Sequence, residues 1–406
     1  MNKSWGSKVR INARFVDLLA MYRAELLERV VPFWLQHAVD WDQGGILTCI
    51  SDEGRVISED KYMWSQLRAI WTFSALYNKL EPRQEWLDVA RHIFDFVKRY
   101  GRDEQGQWVF CVDKSGRILQ GATSIYADGF ALYGLTELAR ATGDQEVINL
   151  ALETYENVQS RLAHLGSYQT APFEMPENGK AHAISMIFSL VFNEWGHYLD
   201  DKAIIEASLV HAREVMDVFL RRDRKLLYEF VRQDNTLIDT PQGRSIVPGH
   251  AIESMWFMIH IYRRAGDEAR IRQAIEVIRW HLEFGWDDEY GGIFHALDAE
   301  GGSPWWRFAD AKLWWPHTET LYATLLAYEF SREAWCLDWF EQVHDYAFQR
   351  YPVPGYGEWT QKLDRHGDQF TDTVALPVKD PFHLPRALIY CIQVLGRLAD
   401  QPQSRS

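Results

Sequence analysis

The chain is predicted to be all-α: an (α/α)6 barrel of six helix pairs with short β-hairpins at the rim. Three observations predict it. A short Gly and aromatic turn recurs six times, the stretches between the turns are helical in pattern, and a polar residue recurs near the start of one helix in each unit. The turns are Trp41-Asp-Gln-Gly-Gly45, Gly106-Gln-Trp108, Gly166-Ser-Tyr168, Tyr228-Glu-Phe230, Trp286-Asp-Asp-Glu-Tyr-Gly-Gly292 and Gly355-Tyr-Gly-Glu-Trp359. From Gly44 to Gly106, Gly166, Glu229, Gly291 and Gly357 the steps are 62, 60, 63, 62 and 66 residues. A unit of that size, with two helices and a hairpin, cannot bury its own apolar face, so the units must stack. An open helical solenoid would need polar end caps. Closure into a toroid needs none, and it explains polar residues recurring at one phase, the mouth of the barrel.

In chain order, alternation around a turn predicts hairpins at Gly45–Gly54, Gln107–Gly116, Gly292–Gly301 and Trp359–Gly367. The segment Lys61-Tyr-Met-Trp-Ser-Gln-Leu-Arg68 opens a helix running to about Lys79. From Tyr126 to Thr142, Phe130, Leu132, Leu135 and Leu138 recur at mainly helical spacing, and Gly143-Asp144 ends that helix and starts the next. Arg264-Ala-Gly-Asp267 does the same two units later. Pro248-Gly249 and Pro316 mark two further helix starts. No Pro/Ser-rich linker interrupts the pattern, so residues 1–406 read as one domain, with the first dozen residues and the tail from about Gln401 frayed.

Composition excludes several functions. A formal net charge of −14 argues against nucleic acid or an anionic membrane surface as the main partner. No apolar run reaches the length of a membrane span, and the first ten residues lack the apolar core of a signal peptide. Cys49, Cys111, Cys336 and Cys391 are scattered without C-x-x-C spacing and read as reduced thiols of a cytoplasmic protein. The 18 Trp residues suit stacking on sugar faces as well as ordinary core packing.

The recurring polar residues are Arg68, Asp128, His182, His250, His317 and His383. Equivalent positions of a closed repeat should converge on one axis. His250 and Glu253 share a helix face at i, i+3. Trp314 and Trp315 precede His317 and Glu319, and Phe382-His383-Leu-Pro-Arg386 is a third helix start with a histidine. Arg68 lies between Trp64 and Trp71. Histidines on opposite sides of a pocket suit proton transfer near neutral pH. One takes a proton from a carbon acidified by a neighbouring carbonyl, such as C2 of an open-chain aldose, and another returns it to the opposite face. Arg68 would stabilise the enediolate oxygen. No nicotinamide or phosphate-loop signature is present, and the chemistry needs no cofactor. Two competitors stay open. One is a divalent metal on His250, Glu253, His317 and His383. The other is a glycoside hydrolase using Asp128 with Glu253 or Glu319.

At these residues the chain resembles the N-acylglucosamine 2-epimerase family, whose mammalian form is also called renin-binding protein, and which is related to cellobiose 2-epimerases and mannose isomerases. The resemblance covers about residues 15–398. It rests on Lys61-Tyr-Met-Trp-Ser-Gln-Leu-Arg-Ala-Ile-Trp71, Pro248-Gly-His-Ala-Ile-Glu-Ser-Met-Trp-Phe257, Lys312-Leu-Trp-Trp-Pro-His-Thr-Glu319, Tyr356-Gly-Glu-Trp359 and Phe382-His-Leu-Pro-Arg386. It implies an (α/α)6 barrel, often dimeric, acting on a free sugar. It implies His250 and His383 as the acid/base pair, with Arg68, Glu253, Glu319 and Trp359 around them. The full expected set adds Trp64, Asp128, His182, Trp315, His317 and Arg386 as substrate contacts. The renin-binding name alone suggests a third class, a non-catalytic binding protein. Two departures stand out. His182 occupies a position that is apolar in typical N-acylglucosamine epimerases. The run Val374-Ala-Leu-Pro-Val-Lys-Asp-Pro381 is shorter and less Gly-rich than the family's Gly-Gly-x-x-Lys-Gly-Cys segment.

Overall fold

The computed structural model describes residues 8–164 and 166–400. The termini expected to fray, through residue 7 and from Gln401, lie outside that range, while helix α1 already starts at Lys8. Six helices form an inner ring: α3 (Met63–Lys79), α5 (Ile125–Thr142), α7 (His182–Leu199), α9 (Pro248–Ala265), α11 (Trp314–Ser331) and α13 (His383–Ala399). Each packs on the next, and α13 packs on α3, so the ring is closed. Five outer helices follow their inner partners: α4 (Gln84–Tyr100), α6 (Gln145–Leu162), α8 (Lys202–Glu214), α10 (Glu268–Gly285) and α12 (Ala334–Arg350). The sixth outer position is filled from the other end of the chain. There α1 (Lys8–Ala24), a π-helical turn and α2 (Val31–His37) lie in sequence, and α1 packs on α13. The (α/α)6 expectation holds, and the ring closes by joining the first helix to the last.

The sequence separates the two rings by burial. Residues 125–139 of α5 are all buried, whereas α4 buries Trp86, Leu87, Val89, Ala90, Ile93, Phe94, Phe96 and Val97 on one face. A helix apolar all round belongs inside, and an amphipathic one covers it. Among the described residues no helix is long and apolar enough to cross a membrane, and all four cysteines are free and buried.

The rim differs from simple hairpins within each unit. The two or three residues before an inner helix pair antiparallel with the rim of a later unit: Lys61–Tyr62 with Cys111–Val112, Gly179–Ala181 with Phe230–Arg232, Ser245–Ile246 with Leu297–Asp298, and Lys312–Leu313 with Lys362–Leu363. Each pairing ties two neighbouring units and fixes where an inner helix begins. The turns recur as expected, with Gly44, Gly106, Gly166, Gly291 and Gly357 at positive φ, except at the fourth. There the left-handed residue is Lys225, and Glu229 lies in the extended run beyond it.

Two of the recurring polar residues turn out to be latches. The fourth residue of α3, Gln66, accepts the Ile46 N–H (2.8 Å) and returns a bond to its carbonyl (2.6 Å). The fourth residue of α5, Asp128, accepts the Trp108 N–H. The fourth residue of α11, His317, accepts the Ile293 N–H at Nε2 (2.9 Å) and bonds the Leu313 carbonyl through Nδ1 (2.7 Å). Each latch ties an inner helix to the strand after its own turn. In α9 the fourth residue is Ala251, and His281 of α10 takes over, accepting the Leu227 N–H at 3.0 Å. His317 and Asp128 are therefore not substrate contacts. Both ring nitrogens of His317 are engaged, and burial pushes its pKa down to about 3. Asp128 is held by Arg161 Nη1 and Nη2 of α6 (3.1 and 3.0 Å), and burial pushes its pKa up to about 6 against that pairing.

Asp128→Ala should strand a buried guanidinium and a backbone N–H. It should cost about 3–5 kcal/mol of stability, read by urea unfolding, while turnover per folded molecule stays near wild type. A large loss of turnover without loss of stability would return Asp128 to the site.

Candidate active site

The mouth of the ring, where the inner helices start, encloses a cavity of about 620 Å³. Trp64, Tyr126, Phe130, Phe257, Trp306, Trp314 and Trp315 supply its aromatic walls. A larger groove of about 1120 Å³ lies on the outer ring between α10 and α12; it is lined mainly by charged side chains and holds none of the expected site residues.

Helix phase decides which polar residues enter the cavity. The sixth residue of α3, α9 and α11 is Arg68, Glu253 and Glu319 respectively, and the sixth of α5 and α7 is Phe130 and Ile187. Arg68, Phe130, Ile187 and Glu253 line the cavity, and Glu319 lies just beneath it. The latch residues sit two positions earlier, about 200° away around a helix of 3.6 residues per turn. Helices α3 and α11 thus each present a structural position and a site position, whereas in α13 the fourth residue, Arg386, itself lines the cavity.

Arg386, in the first turn of α13, hydrogen-bonds Glu253 Oε1 and Glu319 Oε1 (2.7 Å to the latter). The three side chains tie α9, α11 and α13 together. The two carboxylates raise the Arg386 pKa despite burial. Glu319 Oε2 accepts the Trp256 indole N–H (2.8 Å), and its Oε1 contacts His383 Nδ1 (2.7 Å). His383 Nδ1 therefore carries the proton, and Nε2 is left with a lone pair. Burial pushes the His383 pKa down to about 3; Asp380 and Glu253 pull against this, while Arg68 and Arg386 add to it. His383 is neutral at physiological pH.

His250 is biased the other way. Its Nδ1 lies 3.1 Å from both oxygens of Glu229. Burial opposes charge on the ring, but the carboxylate outweighs it and raises the pKa. Glu229 is itself held down to about 2: burial pushes it up, and His250 together with His182 more than compensates. Both histidine rings pack on Trp315, with centroids 5.0 and 5.6 Å from its own. Gly249 permits this approach, since a Cβ there would lie 2.7 Å from the Trp315 ring.

Of the expected set, the cavity gathers Trp64, Arg68, His250, Glu253, Trp315, His383 and Arg386. His182 does not reach it. It is fully buried, with Nε2 2.8 Å from Ser254 Oγ and Nδ1 3.7 Å from Glu229 Oε1 on the far side of the wall. Trp359 is also away: it stacks on Tyr351 and donates to Glu25 Oε1 (2.7 Å), anchoring the turn to the N-terminal outer helix. Two residues were missed, Glu229 and Asp380. Glu229 is a lone carboxylate in the apolar run Leu226-Leu-Tyr-Glu-Phe-Val231, a pattern that demands a buried partner. Asp380 sits two residues before the site Phe382-His383 pair.

The metal quartet does not assemble, because His317 serves as a latch. Oxygens of Glu253 and Glu319 and a nitrogen of His383 do lie within 4.8 Å of one another, but the guanidinium of Arg386 bonds both carboxylates there and supplies the cation. The hydrolase pair fails on geometry: Asp128 is locked to Arg161, and Glu253 and Glu319 share Arg386 on one wall.

Known proteins resemble the chain over most of its length. Residues 44–387 match the sequence profile of N-acylglucosamine 2-epimerase (GlcNAc 2-epimerase). The chain is 32% identical over 385 residues to N-acylglucosamine 2-epimerase of Bos taurus, covering 92% of this chain and 90% of the bovine one. Its fold is similar to that of cellobiose 2-epimerase from Bacillus thermoamylovorans B4167, with TM-score 0.82 and 20% identity over 93% of this chain and 99% of that one. It is also similar to a D-mannose isomerase, with TM-score 0.78 and 16% identity over 93% and 97% of the two chains. With most of its length matched by the profile and by the bovine sequence, the chain belongs to the N-acylglucosamine 2-epimerase family of sugar epimerases.

Proposed function

We propose that the protein inverts C2 of a free, unphosphorylated aldose, with the N-acetylglucosamine/N-acetylmannosamine pair as its first candidate substrate. The observation that carries this reading is two histidines on one cavity with opposite surroundings: His250 faces the carboxylate of Glu229, and His383 faces a carboxylate that Arg386 already pairs. Environments that push two pKa values apart assign the base and the acid. His383 Nε2 takes the C2 proton of the open-chain sugar, and the electron pair moves onto the carbonyl to give an enolate, which is an enediolate when C2 carries a hydroxyl. Arg68 faces the developing charge; burial lowers its pKa to about 10, so it stays cationic at neutral pH. The imidazolium of His250 then delivers a proton to the opposite face of C2. The other epimer presents its C2 hydrogen to His250, so the reverse reaction runs from the state in which the proton resides on His383. The bovine relative's name favours the N-acetyl pair; mannose/glucose epimerisation and mannose/fructose isomerisation would pass through the corresponding enediolate, in which C2 carries oxygen.

Incubation in D2O with N-acetylglucosamine, N-acetylmannosamine, glucose and mannose separately should give a C2-inverted product carrying deuterium at C2, read by proton NMR. His250→Asn and His383→Asn should each lower turnover by about 10²–10⁴-fold. A ketose deuterated at C1 would make the enzyme an aldose-ketose isomerase, and no exchange with any sugar would overturn the proton-transfer reading.

His250 must be charged to act as the acid. Activity should fall as pH rises through its pKa, which Glu229 holds above the ordinary histidine value. Glu229→Gln removes that carboxylate, so the alkaline limb of kcat/KM should move to lower pH. An unmoved limb would separate Glu229 from the acid.

The reading includes a cytoplasmic enzyme working as a homodimer, the first supported by its buried free thiols and the second by the family resemblance. Light scattering should give twice the chain mass of 47.5 kDa; a monomer mass would overturn the dimer.

A further inference from the structure

Two charged groups at the cavity are buried and unsatisfied. Asp380 is 5% exposed. Its Oδ2 accepts the His383 backbone N–H at 3.3 Å, but its Oδ1 has no hydrogen-bond partner among the described residues. Oδ1 lies 3.6 Å from Arg68 Nη1, too far for a hydrogen bond. Arg68 Nε is unpartnered as well. Its guanidinium is held by rings instead, 3.9 Å from the centroid of Phe130, 4.7 Å from Trp64 and 4.8 Å from Phe382. Stacking fixes the position of Arg68 while leaving donors unused.

Asp380 is equally fixed. Gln361 clamps its main chain, accepting the Asp380 N–H (3.1 Å) and donating to its carbonyl (3.3 Å). A buried acceptor and a buried donor that do not satisfy each other are destabilising on their own. Held rigidly on a cavity wall, they are preorganised for a ligand that bonds both. A third distance says which part of the ligand. Asp380 Oδ2 is 3.8 Å from His383 Nε2, the nitrogen assigned above to the C2 proton. The substituent on the carbon that His383 deprotonates passes beside Asp380.

We propose that Asp380, which lines the cavity, is a specificity-determining residue of this site: its carboxylate accepts the O–H or N–H borne by C2 of the sugar while Arg68 donates to the oxygen on C1. The two adjacent polar substituents of the reacting carbons are thereby read by one ion pair. This rests on the sugar-epimerase reading. A carboxylate can only accept, so the site selects a C2 that carries a donor and rejects a C2 that carries none. Asp380 also faces His383, whose proton affinity it raises against burial.

The test is calorimetric binding of glucose, mannose, N-acetylglucosamine, N-acetylmannosamine and 2-deoxyglucose to the wild-type protein, Asp380→Asn and Asp380→Ala. Asparagine keeps an acceptor for the His383 N–H, so it guards against a folding defect; thermal melts identify the folded variants. The wild type should bind its best aldose about tenfold or more tightly than 2-deoxyglucose, and that preference should collapse in both variants. A preference unchanged in the folded variants would overturn the role of Asp380. Binding of none of the five sugars would overturn the sugar reading itself, and this role with it.

Discussion

The site depends on one buried ionic contact, the guanidinium of Arg386 shared between Glu253 and Glu319. These side chains come from three consecutive inner helices, α13, α9 and α11. Two carboxylates at one buried point repel each other and lose their hydration, so neither could stay ionised there without a cation. A guanidinium suits that place because its planar fork of donors can serve both acceptors at once. Through Glu319 the contact also fixes the His383 ring and its tautomer. Removing the cation would release the carboxylates, the ring and the relative placement of the three helices together.

The asymmetry between the two histidines follows from what surrounds each. His250 has a carboxylate at Nδ1 and little competing cationic charge, so it gains a proton. His383 also meets a carboxylate at Nδ1, but Arg386 already neutralises that one, and Arg68 and Arg386 add to the effect of burial. Two imidazoles on the same Trp315 ring are thus pushed in opposite directions, His250 toward its charged form and His383 toward its neutral one. That is what an inversion requires: a base on one side and an acid on the other.

The repeat also explains how a barrel of helices combines stability with chemistry. In α3, α5 and α11 the fourth helix position ties the rim strand to the inner helix, and in α3, α9 and α11 the sixth carries a charged side chain toward the axis; in α13 the fourth is Arg386 itself, at the site. Gln66, Asp128 and His317 hold the first kind of position, while Arg68, Glu253 and Glu319 hold the second. Because the latch needs only a side-chain acceptor, an amide, a carboxylate and an imidazole serve it equally well. A histidine there has the same sequence context as a catalytic one.

Periodicity and the recurring turns determined the fold by themselves, because a two-helix unit can satisfy its apolar face only by stacking. Motif resemblance and helix-start position likewise made His250, His383, Arg68, Glu253, Glu319 and Arg386 legible. Tertiary structure decided the rest. Whether Asp128 and His317 face the axis depends on about 200° of helix rotation, and the exact helix start that sets it comes from strand pairing between units. Glu229 and Asp380 lie on rim segments rather than inner helices, so no helical period points to them. The opposite proton affinities of His250 and His383 were not in the sequence either: burial, Glu229, Arg68 and Arg386 set them, and only the closed ring brings these together.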